Sequence, residues 1–293
     1  MKARTKKLRE TRDSLILIAP LLILLIVFIL FPVLSNLYYS LTSWKGIGEI
    51  KAIGFENFKN MLEDEIFWTS ITNTAILILF IPFGVMAPLI LAAILRTGLK
   101  GWSVFRAIIY LPNILGYVII GLIFNIILRN NGPLNYMLDF FGLHMLSADW
   151  LTKSDTALFS LGAIFVVWIK LGFGCIYFLA SMSSIDESLY DAADIDGAGW
   201  WAKFWNVTVP SIRFSIEFFV VLSFIELFAR AFPFIYTFSR GGPGFGTYTL
   251  EYGIYSASFI GFKVGYASAW SVVLFICCSV IAVFQVRLMR GKL

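Results

Sequence analysis

Charge is what this sequence has least of. Only 14% of its 293 residues are Asp, Glu, Lys or Arg, where a soluble domain carries about a quarter. No polar block is long enough to build a separate soluble domain. Histidine occurs once, at His144, which argues against a histidine metal centre or a Ser-His-Asp triad. The three cysteines, Cys175, Cys277 and Cys278, fall in apolar runs. Buried inert thiols are the expectation there, not a disulfide or a metal site. A phosphate-binding loop is missing, since the one Gly-Lys pair is Gly291-Lys292, followed by Leu293. The chain is therefore not expected to bind ATP through such a loop.

What is there is apolar. Hydrophobic residues make up 59% of the chain and the mean hydropathy is +0.83. Uncharged runs cover Ser14 to Trp44, Ile66 to Leu95 and Ala107 to Leu128. Each exceeds or approaches the ~20 residues that cross a bilayer. Three more apolar stretches follow, with few charges inside them. These readings give an all-α integral membrane protein with six transmembrane helices, at about 15–44, 66–95, 107–128, 156–182, 212–238 and 264–286. A basic N-terminal segment, residues 1–14, precedes a single membrane domain over 15–293. Pro20, Pro32, Pro82, Pro88 and Pro112 are expected to kink helices without vetoing them.

Lys and Arg divide unevenly between alternate loops, fourteen on the side that carries both termini and seven on the other. The excess marks the cytoplasmic side. It places both termini and the stretch Ser184–Pro210 in the cytoplasm. That stretch is the longest that cannot be membrane span. Ser184 and Glu187 have capping-box spacing, so a helix is expected from Ile185. Asp196-Gly197-Ala198-Gly199 breaks it. A second amphipathic segment, Trp200 to Val207, is expected to stop before Pro210. The result is a cytoplasmic helix-turn-helix between spans 4 and 5.

Charges inside spans are costly, so they tend to face a bundle interior or a wet cavity. Lys170 lies in span 4, with Phe173 one turn away. Glu226 and Arg230 lie in span 5, with Ser223 on the neighbouring turn. The i, i+4 spacing of Glu226 and Arg230 suggests a pair. Two uses are open, a salt bridge between spans or the lining of a translocation path.

The stretch Asp191-Ala192-Ala193 with Gly197, then Val207-Thr208-Val209-Pro210, resembles the EAA motif of permease subunits in binding-protein-dependent ABC importers. That motif reads roughly E-A-A-x-x-x-G with a later I-x-L-P. Here Asp191 replaces the Glu, and valines replace the Ile and the Leu. The sugar-importer branch is resembled by Gly54-Phe55-Glu56-Asn57-Phe58, Tyr110-Leu111-Pro112, Gly241-Gly242-Pro243-Gly244 and Gly265-Tyr266-Ala267-Ser268-Ala269. These occur in family order from Leu15 to Arg290.

The resemblance implies a maltose- or oligosaccharide-type permease in a bacterial or archaeal inner membrane, forming half of a translocation pathway. Its implied partners are a second permease subunit, two ABC ATPases and an extracytoplasmic solute-binding protein, with no nucleic acid. No cofactor is implied in this chain, and ATP with Mg belongs to the ATPase. Coupling would run through Asp191, Ala192, Ala193, Asp196, Gly197, Ala198 and Gly199. The implied substrate-pathway residues are Lys170, Phe173, Ser223, Glu226 and Arg230. A neutral sugar is expected if Glu226 neutralises Arg230. An anionic one is expected if Lys170 and Arg230 hold it. The competing reading is an ion-coupled secondary transporter or channel, which calls for broken helices and inverted repeats. No repeat is evident. An intramembrane enzyme would need a fuller catalytic constellation than Glu226 alone.

Overall fold

The computed structural model describes residues 17–96 and 102–290. The basic segment 1–14 lies outside the described residues. Among those described, the chain is helical, with a lone bridge between Thr42 and Ala52. Four helices are long and apolar enough to cross a membrane: Leu17–Ser40 (α1), Glu65–Leu95 (α3), Ser154–Met182 (α7) and Val264–Phe284. The last belongs to Val264–Arg290 (α13). Two further candidates are bent pairs, so the count reaches six if each pair is one span. The first joins Trp102–Ile114 (α4) to Tyr117–Ile127 (α5) at 100°. The second joins Arg213–Ala229 (α10) to Phe232–Phe238 (α11) at 55°. Shorter helices are Glu56–Glu63 (α2), Pro133–Phe140 (α6), Glu187–Ile195 (α8), residues 200–211 (α9) and Leu250–Tyr255 (α12).

The bends are not where proline alone would put them. The first falls after Pro112, at Gly116, which is extended with ψ 149°. The second falls at Arg230, whose φ of −140° takes it off the helix. Pro233 then stands in the first turn of α11, where its missing N–H costs nothing. Pro88, by contrast, sits inside α3 without breaking it.

The described chain forms two compact units. The smaller comprises the chain up to Glu63 with Ile254–Val273. It is tied by polar groups that would otherwise be orphaned. The Asn57 amide donates to the carbonyls of Ser40 and Thr42, each at 2.8 Å. The Gly265 N–H donates to the Trp44 carbonyl at 2.9 Å.

The larger unit comprises Asp64–Gly253 with Leu274–Leu293. Asp64 starts α3 by accepting the Ile66 N–H at 2.8 Å, a side-chain cap. Ser70 and Thr74 in α3 are buried and bond back to the carbonyls of Phe67 and Ser70, both at 2.7 Å. The polar side chains thus need no water. Helices α3, α7 and α10 meet at Gly174. A Cβ there would stand 2.7 Å from the Phe219 ring and 2.8 Å from Pro88, so only glycine lets the three approach. Around that contact lies a core rich in Phe, including Phe165, Phe178, Phe219 and Phe234.

Candidate functional site

The turn between α8 and α9 is built by local chemistry. Asp186 begins α8, accepting the Ser188 N–H at 2.9 Å. That hydrogen bond holds the Asp186 carboxyl below its ordinary value. The start expected at Ile185 with Ser184 as cap is corrected: the Ser184 hydroxyl donates instead to the Ser181 carbonyl at 2.8 Å. At the other end, Ala198 N–H donates to Ala193 O at 2.8 Å and Gly197 N–H to Asp194 O at 3.0 Å. This pair of bonds is a Schellman closure, which needs a left-handed residue at its centre. Gly197 supplies it with φ +73°.

The next segment does not stop before Pro210. Residues 204–208 widen into a π turn and the helix runs through Pro210 to Ser211. Asp191, Ala192, Asp196, Gly197 and Gly199 are exposed, with Ala193 and Ala198 half-buried. Ile195 at the tip is 87% exposed.

Residues outside the motif close this hairpin on itself and tie it to the end of α3. Lys203 of α9 bonds Asp194 of α8 at 2.6 Å. The Tyr190 hydroxyl meets Thr208 Oγ1 at 2.8 Å. Arg96, at the end of α3, stacks over the Tyr190 ring at 3.9 Å. Arg96, Tyr190, Trp200, Lys203 and Thr208 line a small cleft together with Met182 and Phe204. Asp191 takes no part in the fastening. No local spacing in the sequence connects Lys203 to Asp194.

The intramembrane charges separate in an unexpected way. Lys170 of α7 is 5% exposed, and its Nζ lies 3.4 Å from Glu226 Oε2 in α10. The same Nζ donates to the Ser223 carbonyl at 3.2 Å. The pairing of Glu226 with Arg230 is therefore corrected to Glu226 with Lys170. Arg230 is exposed beyond the end of α10 and forms no salt bridge among the described residues. Ser223 is buried, and its Oγ has no hydrogen-bond partner among the described residues. Phe173 stacks on Tyr177 and Phe219, both at 6.1 Å between ring centroids, and is still 40% exposed. Tyr117 of α5 lies within electrostatic reach of both Glu226 and Arg230. Lys170, Ser223 and Glu226 form one cluster across α7 and α10, Phe173 lies one turn away, and Arg230 stands apart.

Residues 71–292 match the model of the binding-protein-dependent transport system inner membrane component family. The chain belongs to that family. A probable ABC transporter permease of Pyrococcus horikoshii is 32% identical over 91% of this chain and 92% of its own length. A probable starch degradation products transport permease of Thermoanaerobacterium thermosulfurigenes is 31% identical over 94% of this chain and 93% of its own. A multiple sugar-binding transport permease of Streptococcus mutans is also 31% identical, over 94% and 93%. The crystal structure of a bacterial ABC transporter that imports alginate superposes with a TM-score of 0.82. It covers 99% of both chains at 24% identity, and so bears on fold. The protein is thus a multi-pass permease subunit of an ABC importer, a transport component working with a substrate-binding protein and partner subunits.

Proposed function

We propose that this permease carries a saccharide and takes its drive from a separate ATPase through the α8–α9 hairpin. In this reading each bent pair is one span, giving six. Both termini and the hairpin face the cytoplasm, and a second, different permease completes the pathway. Two ATPases that bind ATP and Mg each receive one such hairpin. The observation that carries the reading is the Schellman-closed turn at Gly197 with Ile195 bare at its tip. A closed, fastened turn that presents an apolar side chain to solvent is suited to seat in a partner's cleft. The names of the relatives support a sugar, since they transport starch degradation products and multiple sugars. Phe173, Glu226 and Arg230 would face the pathway, while Lys170, anchored on the Ser223 carbonyl, holds Glu226 from behind.

The test is a pull-down from detergent-solubilised native membranes, wild type against Gly197→Asp. A second permease and an ABC ATPase should accompany the wild type, and the variant should lose the ATPase. A chain that purifies alone and transports in liposomes without ATP would overturn the reading in favour of an ion-coupled carrier.

Arg230 favours a second reading of the substrate. With Glu226 committed to Lys170, no intramolecular carboxylate among the described residues neutralises Arg230, and an acidic saccharide would. Oligogalacturonates should then stimulate ATP hydrolysis by the assembled complex and its binding protein more than maltodextrins do. The opposite order returns the site to neutral sugars.

A further inference from the structure

The break in the α10–α11 pair is held from a distance. The first N–H groups of a helix have no partner within it, and in a membrane protein each one left bare is expensive. Arg230 N–H still reaches back to Glu226 O at 3.0 Å, and that bond ends α10. Pro233 has no N–H to satisfy. Among the N–H groups that remain at the start of α11 are those of Ala231 and Phe232. Glu251 of α12 meets them: Oε2 accepts the Phe232 N–H at 2.8 Å, and the Ala231 N–H also bears on the carboxylate. The partner is nineteen residues further along the chain and lies outside the six apolar runs. Nothing in the coupling hairpin or the Lys170–Glu226 cluster uses it.

We propose that Glu251 is the clasp of this break, a positioning residue that fixes how α11 leaves α10 and so where Arg230 is presented. The inference rests on reading α10 and α11 as one span of the importer.

The clasp has a sign. Burial pushes the Glu251 carboxyl up from 4.5 to about 7. The ionisable groups on the elements around it are Glu226 and Arg230 on α10, Tyr236 on α11, Tyr117 on α5, Arg240 in the following loop, and Tyr248 and Tyr252 beside it. Among the described residues, neither Arg230 nor Arg240 forms a salt bridge with Glu251. A closed break holds a proton that an opened, wetted break releases. By linkage the closed form is favoured at low pH and loses that advantage as pH rises through about 7.

The experiment is amide hydrogen exchange on the assembled importer in nanodiscs, followed in a peptide spanning residues 229–236. Rates are corrected for intrinsic base catalysis. In the wild type the corrected rate should rise about tenfold between pH 6 and pH 8. Glu251→Gln keeps an acceptor without a proton to lose, so its peptide should stay protected and indifferent to pH. Glu251→Ala should exchange fast at both pH values, while a peptide from the middle of α3 is unchanged. ATP hydrolysis with the binding protein present should change its pH profile in Glu251→Gln. The proposal is overturned if Glu251→Ala leaves residues 229–236 as protected as in the wild type. It is also overturned if Glu251→Gln follows the wild-type pH profile in exchange or in ATP hydrolysis. Exchange at residues 229–236 reports the clasp and the pull-down reports docking of the hairpin, so the two failures are told apart.

Discussion

Lys170 shows how much a single residue can hold in a bilayer. Its ammonium, 5% exposed, has one carboxylate and one carbonyl within reach. Removing one partner of a buried pair strands the other, a cost of 3 kcal/mol or more, about 3 here because Glu226 retains 27% side-chain exposure. Lys170→Met should therefore lower the thermal midpoint of the detergent-purified complex markedly. Lys170→Met with Glu226→Gln should recover most of the loss, because no charge is then left unpaired. A double variant no better than the single one would mean that the pair contributes little to stability. The pair was not legible in the sequence. The spacing of Glu226 and Arg230 obeys the rule for helical neighbours, but that rule holds only while the helix continues. Arg230, at φ −140°, has already left it.

At the scale of an element, the hairpin was legible in outline and misread in detail. Gly197 ends a helix because the left-handed conformation costs a side chain about 1 kcal/mol. Open space surrounds it, with nothing within 4 Å of an added Cβ. Gly199 is equally open but extended, at φ −68° and ψ 170°. Gly197→Ala should thus weaken ATPase co-purification measurably, and Gly199→Ala should leave it within error. Equal effects would place the contact at the glycine surface and not in the turn. The helix start was misread because Ser184 and Asp186 are both good caps by type. Which of them caps depends on the end of α7, where the Ser184 hydroxyl is already taken by Ser181. Lys203, Tyr190, Thr208 and Arg96 escaped notice for a similar reason, since each acts on a partner that only the folded hairpin brings near.

The whole molecule is a set of apolar helices whose sidedness follows from its loops. Single cysteines, introduced into a background with Cys175, Cys277 and Cys278 replaced by alanine, give a direct check. At Glu49 and Met145 an impermeant maleimide should label intact cells. At Ser188 it should label only after permeabilisation. Labelling of Ser188 in intact cells would invert the orientation and remove the hairpin from any cytoplasmic ATPase. The separation of Lys and Arg between loops supports the expected orientation, because charge placed near a span end decides which side is retained.

Long uncharged runs, the acidic turn and the glycine at its centre were fixed by the sequence alone, for physical reasons that act locally. A bilayer tolerates few charges over ~20 residues, and a left-handed turn favours glycine because it has no Cβ to clash. Only tertiary structure decided the rest. It put the bends at Gly116 and Arg230 and not at Pro112 or Pro88. It gave Glu226 to Lys170 and brought Glu251 to a backbone nineteen residues away. In an apolar interior, polar groups take the nearest available partner in space, and nearness in space is set by how helices pack, which no single segment encodes.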